Sequence, residues 1–224
     1  MKRAIVLISG GMDSLVTAAI ACRENDEVHF LHASYGQRTQ AKELICFENI
    51  CSYYQPASSR VLDLNWLSQI GGSALTDSSM EISKAASKQG IPNTYVPFRN
   101  ANLLCAAVAW AEVIKAGAIY IGAVEEDSSG YPDCRELFFK SMQTTIETGT
   151  KNTFPILIKT PVIHKSKAEI VKIGMELHAP FQYSWSCYKN TELACGVCDS
   201  CHLRLKAFAL AGLQDPIPYE IERS

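Results

Sequence analysis

The chain has 224 residues, 47% of them hydrophobic, and its 21 basic and 23 acidic side chains leave a formal charge of −2. Non-specific nucleic-acid binding needs a dense basic patch, and with this charge and no run of five like charges a nucleic-acid partner is not expected. No apolar run approaches a membrane span, and Met1-Lys2-Arg3 enters a short strand without a cleavage-site pattern, so neither a membrane partner nor a secretory signal is expected.

Apolar runs and helix-period stretches alternate along the chain. Arg3–Ile8 reads as a buried strand and Asp13–Arg23 as a helix. Glu27–Ala33 is the second strand, followed by a helix over Gln40–Tyr54 with Leu44, Phe47 and Cys51 on one stripe. Arg60–Leu64 is the third strand. The segment Leu64–Thr94 breaks the rhythm with Gly71-Gly72, several serines, Gly90 and Pro92. So long an irregular stretch is functional, mobile or a passive surface insertion. We read it as a flap, about 65–94, with a short helix around Glu81–Lys88.

Asn102–Lys115 is an apolar helix ending at Gly117, and Ala118–Gly122 is another strand. Arg135–Thr148 is a helix and Phe154–Ile158 a short strand. Ser166–His178 is a helix opened by a capping box, because Ser166 and Glu169 stand three apart. Asp199–Ala211 is the last helix, closed by Gly212. This order predicts an α/β fold, a parallel sheet in three layers with helices on both faces, over one domain spanning 1–224. In such sheets ligands sit beyond the C-terminal strand ends, near a topological switch point.

The turn after the first strand reads Ser9-Gly10-Gly11-Met12-Asp13-Ser14. Glycines allow a tight turn and close approach to a ligand. The first N–H groups of the following helix lack internal acceptors and carry the positive end of the dipole. Together they form an anion seat suited to phosphate, with hydroxyls from Ser9 and Ser14. A carboxylate at Asp13 would repel phosphate unless it holds a divalent cation that also binds phosphate. No lysine lies between Arg3 and Lys42, so this is not a Walker A loop. The plainer alternative is an ordinary βα turn with two glycines. The nucleotide-binding candidates are Ile8, Ser9, Gly10, Gly11, Met12, Asp13, Ser14 and Leu15.

Nine cysteines are an odd count, and Cys187, Cys195, Cys198 and Cys201 form C-x7-C-x2-C-x2-C. Four thiolates in so short a span can surround one tetrahedral ion, most often zinc. Iron–sulfur ligation and disulfides remain open from spacing alone. A metal segment of about 185–212 would clamp the Trp185–Tyr188 loop to the last helix, and such a site suits a reducing cytoplasm. Cys22, Cys46, Cys51 and Cys105 sit in helical patterns as small apolar residues, and Cys134 lies in a polar loop. His29 and His32 face opposite sides of a strand and are assigned no role.

Gly130-Tyr131-Pro132-Asp133-Cys134-Arg135 follows a strand through the acidic Glu125-Glu126-Asp127 loop and precedes a helix. Tyr131, Asp133 and Arg135 could stack on and hydrogen-bond a flat nitrogenous ring; the alternative is a helix cap with a solvated arginine. Val96-Pro97-Phe98-Arg99-Asn100 also precedes a helix, and Arg99 suits a carboxylate or phosphate. Lys165 or Lys167 could stabilise charge on an α-phosphate, so Asp13, Ser14, Lys165 and Lys167 are the catalytic candidates.

The S-G-G-x-D-S string resembles the PP-loop ATP pyrophosphatases, which have an adenine-nucleotide α-hydrolase-like fold. With Tyr35-Gly36-Gln37-Arg38, V-P-F-R-N, S-G-Y-P-D-C-R and the cysteine cluster in one order, residues 3 to 212 resemble the 7-cyano-7-deazaguanine synthase family. The sequence departs from that pattern at Thr39, Phe98 and Glu126-Asp127-Ser128, all flanking the pocket. The resemblance implies an ATP-dependent ligase acting on 7-carboxy-7-deazaguanine and ammonia, through an adenylated carboxylate and then an adenylated amide, on the route to queuosine. It implies ATP with Mg²⁺, a structural zinc on the four cysteines, and Arg99, Asn100, Tyr131, Asp133 and Arg135 around the deazaguanine. A homodimer is allowed. The alternatives are a PP-loop enzyme that thiolates tRNA, and a non-catalytic zinc-containing binding module.

Overall fold

The structure, a computed structural model, describes residues 1–82, 90–125, 130–151 and 153–220. Five parallel strands run in the order β3-β2-β1-β4-β5. They are β1 (Arg3–Leu7), β2 (Glu27–Ser34), β3 (Ser58–Asp63), β4 (Ala118–Ile121) and β5 (Leu157–Lys159). The helices are α1 (Met12–Glu24), α2 (Gln40–Tyr54), α3 (Trp66–Ile70), α4 (Arg99–Ile114), α5 (Glu136–Gly149), α6 (Lys167–Glu176) and α7 (Asp199–Leu210).

Strand side chains alternate between faces, and β1 divides accordingly. Ala4 and Val6 join a core with α1, α2, α6 and α7, through Leu15, Phe47, Ile170 and Phe208. Ile5 and Leu7 join the opposite core with α4 and α5, through Leu104, Trp110, Phe139 and Ile146. The three-layer architecture is therefore the expected one. β1 and β4 are paired neighbours at the centre, with Val6 opposite Tyr120. The chain turns outward from β1 toward β3 and later from β4 toward β5, so the switch point lies between β1 and β4.

Helix α1 is almost wholly buried, from Met12 through Ala21. Its Val16–Ala21 stretch has small side chains, which lets it lie between the sheet and α6. Gly174 of α6 completes the fit. A Cβ there would stand 2.3 Å from Phe181 Cζ and 2.8 Å from Val16 Cγ2.

Element boundaries depart from the sequence reading where partners are remote. The helix expected from Asn102 begins at Arg99. The Asp133 carboxylate accepts the Asn100 N–H at 3.0 Å and thus caps α4 from another segment. That helix also stops earlier than expected. Its left-handed closing residue is Lys115, while Gly117 donates to the Arg3 carbonyl. β3 starts at Ser58, two residues early, because β2 supplies the ladder for a mostly exposed edge strand. β5 lies toward the C-terminal side of the expected Phe154–Ile158. The capping box at Ser166 and Glu169 is present in both directions, and Gly212 has a left-handed φ of 74° beyond α7.

The 64–94 segment holds α3, which the sequence reading missed. Leu64, Leu67, Leu75 and Val96 pack with Ala33 and Tyr35 beyond the end of β2. The expected helix at Glu81–Lys88 lies largely outside the described residues.

Gly174→Ala tests the α1–α6 fit. Overpacking a tight core contact costs about 1–3 kcal/mol. We expect a lowered thermal midpoint and urea midpoint; unchanged midpoints would contradict the contact.

Candidate active site and metal centre

A cleft of about 1330 Å³ opens at the C-terminal ends of β1, β2 and β4. Its walls include Ser9, Gly11, Asp13 and Ser14 from the first turn and Tyr35, Gln37, Thr39 and Glu43 beyond β2. Arg99, Asn100 and Tyr131 form another wall, and Trp185, Tyr188 and Arg204 come from the cysteine-bearing segment.

The first turn is shaped by close contacts. Gly10 has a φ of 82°, and a Cβ on it would stand 2.9 Å from the Glu43 carbonyl of α2. Any other residue there meets both a backbone penalty and a collision. At the adjacent strand end, a Cβ on Gly122 would stand 2.8 Å from the Asp13 backbone. Ser14 Oγ donates to the Gly11 carbonyl at 2.9 Å and accepts the Ser9 N–H at 3.2 Å. The Gly11 N–H donates to Ser9 Oγ at 3.2 Å. These bonds brace the turn that presents the N-terminus of α1.

Asp13 Oδ2 lies 2.6 Å from Lys167 Nζ, at the start of α6. Asp13 Oδ1 is buried and has no hydrogen-bond partner among the described residues. A buried carboxylate oxygen left over beside an anion seat fits a divalent cation, for which such oxygen is the natural ligand. Lys165 is placed differently. It lies 3.8 Å from Glu169 on the outer face of α6 and does not line the cleft.

The wall opposite is aromatic and cationic. Arg99 Nη1 donates to Tyr35 Oη at 3.0 Å, with the guanidinium over the Tyr35 ring. Burial pushes the Tyr35 hydroxyl up to about 12, so it stays protonated and bonds Arg99 as a neutral acceptor. Tyr131 Oη donates to Thr94 Oγ1 at 2.7 Å, which ties the 64–94 segment to this wall.

The structure gives Asp133 a use other than ring binding. Oδ2 caps α4, the carbonyl accepts Asn100 Nδ2 at 2.9 Å, and the residue does not line the cleft. Arg135 is exposed just before α5 and does not line it either. Leu15 is fully buried in the core, and Gly10 lies beneath the turn rather than on the cleft wall. Cys134 is buried, and burial pushes its thiol up to about 11, which makes it inert. Glu126-Asp127-Ser128 lies outside the described residues.

The sulfur atoms of Cys187, Cys195, Cys198 and Cys201 all lie within 4.8 Å of one another. All four residues are buried. A tetrahedral zinc with bonds of about 2.3 Å needs sulfurs roughly 3.8 Å apart, so the set is nearly closed around an ion. Cys187 Sγ also accepts N–H groups from Lys189, Asn190 and Cys195 at 3.3–3.4 Å. Such donors stabilise a thiolate, the form that binds metal.

The sequence reading missed the partner that holds this segment in place. Arg204 on α7 forms a two-pronged pair with Asp215, Nε to Oδ2 at 2.8 Å and Nη2 to Oδ1 at 3.0 Å. Both side chains are essentially fully buried. Arg204 also donates to Ser184 Oγ at 2.8 Å and to the Phe181 carbonyl at 3.2 Å, while Tyr219 Oη donates to Asp215. Residues 215–220 thereby belong with the cysteine-bearing segment, and Ala194 pairs with Tyr219. The available clue was a lone Arg on a helix whose other core-facing residues are small or apolar. Trp185, which follows Ser184, donates its N–H to the Gly10 carbonyl at 2.8 Å.

Cys198→Ser is expected to lose bound metal and to lower the thermal midpoint or solubility, as metal analysis and a melting curve will read. An unchanged midpoint would argue against a structural metal. Asp215→Ala leaves the Arg204 charge buried and unpaired, a loss of about 3–5 kcal/mol. We expect urea unfolding to register it; a shift under 1 kcal/mol would contradict the pair's role.

Comparison with known proteins shows the family of the chain. A family model described as "Queuosine biosynthesis protein QueC" matches residues 3–212. A 7-cyano-7-deazaguanine synthase of Chlorobaculum tepidum is 56% identical over 220 residues, 98% of this chain and 97% of that protein. One from Chloroherpeton thalassium is 56% identical over 224 residues, 99% of each chain. The solved NMN synthetase of Francisella tularensis aligns over 95% of this chain and 78% of its own, with a TM-score of 0.50 and 16% identity, a likeness of fold. No helix among the described residues is long and apolar enough to cross a membrane. The cleft at the β1–β4 switch point and the four-cysteine centre beside it are thus those of a chain that belongs to the QueC family of queuosine biosynthesis proteins.

Proposed function

We propose that the chain is an ATP-dependent carbon–nitrogen ligase that converts 7-carboxy-7-deazaguanine and ammonia to 7-cyano-7-deazaguanine. The observation that carries this reading is one shared cleft: the phosphate-binding turn and the Arg99–Tyr131 wall border the same space. A carboxylate held by the wall can therefore meet the α-phosphorus of a nucleotide held by the turn.

A carboxylate is a poor electrophile because its carbon is electron-rich and its leaving group would be oxide. Its attack on the α-phosphorus expels pyrophosphate and gives an acyl adenylate, from which AMP leaves readily. Ammonia displaces AMP to form the amide. Activation of the amide oxygen by a second ATP, followed by loss of AMP, gives the nitrile. Ser9, Gly11 and Ser14 hold the departing pyrophosphate on the N-terminus of α1. Lys167 lies where it can neutralise charge growing on the phosphorus oxygens. Asp13 would hold Mg²⁺, which when bound supplies charge neutralisation at the polyphosphate. Arg99, with Tyr35 beneath it, pairs with the substrate carboxylate, and Tyr131 covers the ring.

The 65–94 segment contributes Leu75 and residues 90–94 to the cleft and acts as a flap that keeps water from the adenylate. The four cysteines hold a structural zinc, since four protein ligands leave no open position for substrate. The enzyme works as a single domain in the cytoplasm.

The test is pyrophosphate release with ATP, Mg²⁺, ammonia and a panel of carboxylates. Release restricted to carboxy-deazaguanine, with AMP as the nucleotide product, supports the reading; the absence of release with every carboxylate tried overturns it. Asp13→Ala is expected to lower turnover by roughly a hundred- to a thousandfold or more while the circular dichroism spectrum stays folded. Retention of full rate would overturn the role given to Asp13.

A further inference from the structure

Glu43 is a carboxylate on the cleft wall that the scheme above does not use. It extends from α2, and its own backbone lies against Gly10 of the phosphate-binding turn. Gln37 Nε2 donates to Oε2 at 2.9 Å and Thr39 Oγ1 donates to Oε1 at 2.7 Å. Gln37 is fixed in turn by accepting the Tyr35 N–H at 2.8 Å. Gln37 and Thr39 are themselves buried.

Both donors are neutral. Among the described residues no Lys or Arg forms an ion pair with Glu43. The adjacent Lys42 instead lies over the Trp185 ring at 4.3 Å. Each carboxylate oxygen has two acceptor sites, so two bonds leave capacity for further donors. A positioned anion on a cleft wall, fixed by neutral donors, suits a small cation rich in N–H groups.

We propose that Glu43 binds ammonium beside the adenylate and accepts a proton from it. This rests on the ligase reading above. Ammonium gives one proton to Glu43 and becomes ammonia with a free electron pair. That pair forms the new C–N bond at the carbonyl carbon of the acyl adenylate. The C–O bond to phosphate breaks, AMP leaves with its electrons, and the surplus proton on nitrogen passes to water. Gln37 and Thr39 are positioning residues: they fix the carboxylate that faces the nitrogen.

The experiment compares Glu43→Gln with the parent enzyme in three measurements. These are ammonium-dependent turnover, turnover with hydroxylamine, and exchange of labelled pyrophosphate into ATP driven by the acid without ammonia. Hydroxylamine is largely uncharged at neutral pH and needs no proton acceptor to expose its electron pair. We expect KM for ammonium to rise roughly ten- to a hundredfold, the range set by losing one charged hydrogen bond. The ratio of ammonium-dependent turnover to exchange should fall similarly, and hydroxylamine should suffer much less. Glu43→Asp should restore part of the ammonium affinity. An unchanged KM, or equal losses in all three measurements, overturns the proposal, the latter by marking a merely structural role. If the parent enzyme shows no acid-driven exchange, the ligase reading fails and this inference with it.

Discussion

The hydrogen bond from the Trp185 N–H to the Gly10 carbonyl fixes where the Ser9–Ser14 turn can be. The turn is gripped on three sides. Glu43 of α2 presses on Gly10, Gly122 just after β4 lies under Asp13, and Trp185 of the cysteine-bearing loop bonds across the top. Each contact demands a missing side chain or a fixed backbone, so the turn has little room to shift. A binding turn gains from this rigidity because less order must be created when ligand arrives.

That bond connects the remote cysteine cluster to the turn after β1. Trp185 stands two residues before Cys187, so the sulfur cluster anchors one end of the strap that holds Gly10. Arg204 and Asp215 anchor the other. A buried ion pair is not stabilising by default, since desolvation offsets much of its attraction. Here the neighbours make up the difference: hydroxyls, a carbonyl and a backbone N–H occupy the remaining donors and acceptors. The pair therefore specifies which segments meet, and the four-cysteine cluster packs at the same junction.

Local patterns made most of this fold legible, and non-local partners hid the rest. The β1–turn–α1 unit was readable because the apolar strand, the glycines and the helix start lie in one short string. The capping box at Ser166 was readable because both partners are three residues apart. The start of α4 was not, because its cap is Asp133, far along the chain. Asp133 itself was read only as a ring-binding carboxylate, whereas its Oδ2 also holds a helix end. Helix α3 was hidden by its length, and the Arg204–Asp215 pair by having no periodic signature. Arg99 and Tyr131 stood out by residue type just before helices on the ligand edge, and both line the cleft; Tyr35 was read only as part of a motif, with no sign of its bond to Arg99. Lys165 and Lys167 were indistinguishable in sequence. Only the orientation of α6 sends one to Asp13 and the other outward.

Asp13 poses a problem of sign that Lys167 resolves. A helix N-terminus attracts an anion by about 0.3–1 kcal/mol, up to ~2 when partly buried. A carboxylate about 4 Å from a phosphate charge repels it by about 4 kcal/mol at an effective dielectric of about 20. The turn with Asp13 alone would therefore repel what its backbone is shaped to hold. Lys167 at 2.6 Å cancels that charge, and restores the dipole and N–H donors as the net field of the seat. The remaining oxygen, Oδ1, is buried and has no hydrogen-bond partner among the described residues, which costs free energy in the folded chain. A group that needs both a cation beside it and another donor in front of it is most stable when a positive charge lies between it and phosphate. On the proposed reading, the repulsion that would have disqualified Asp13 becomes a reason for the site to prefer a polyphosphate accompanied by a cation over a bare anion.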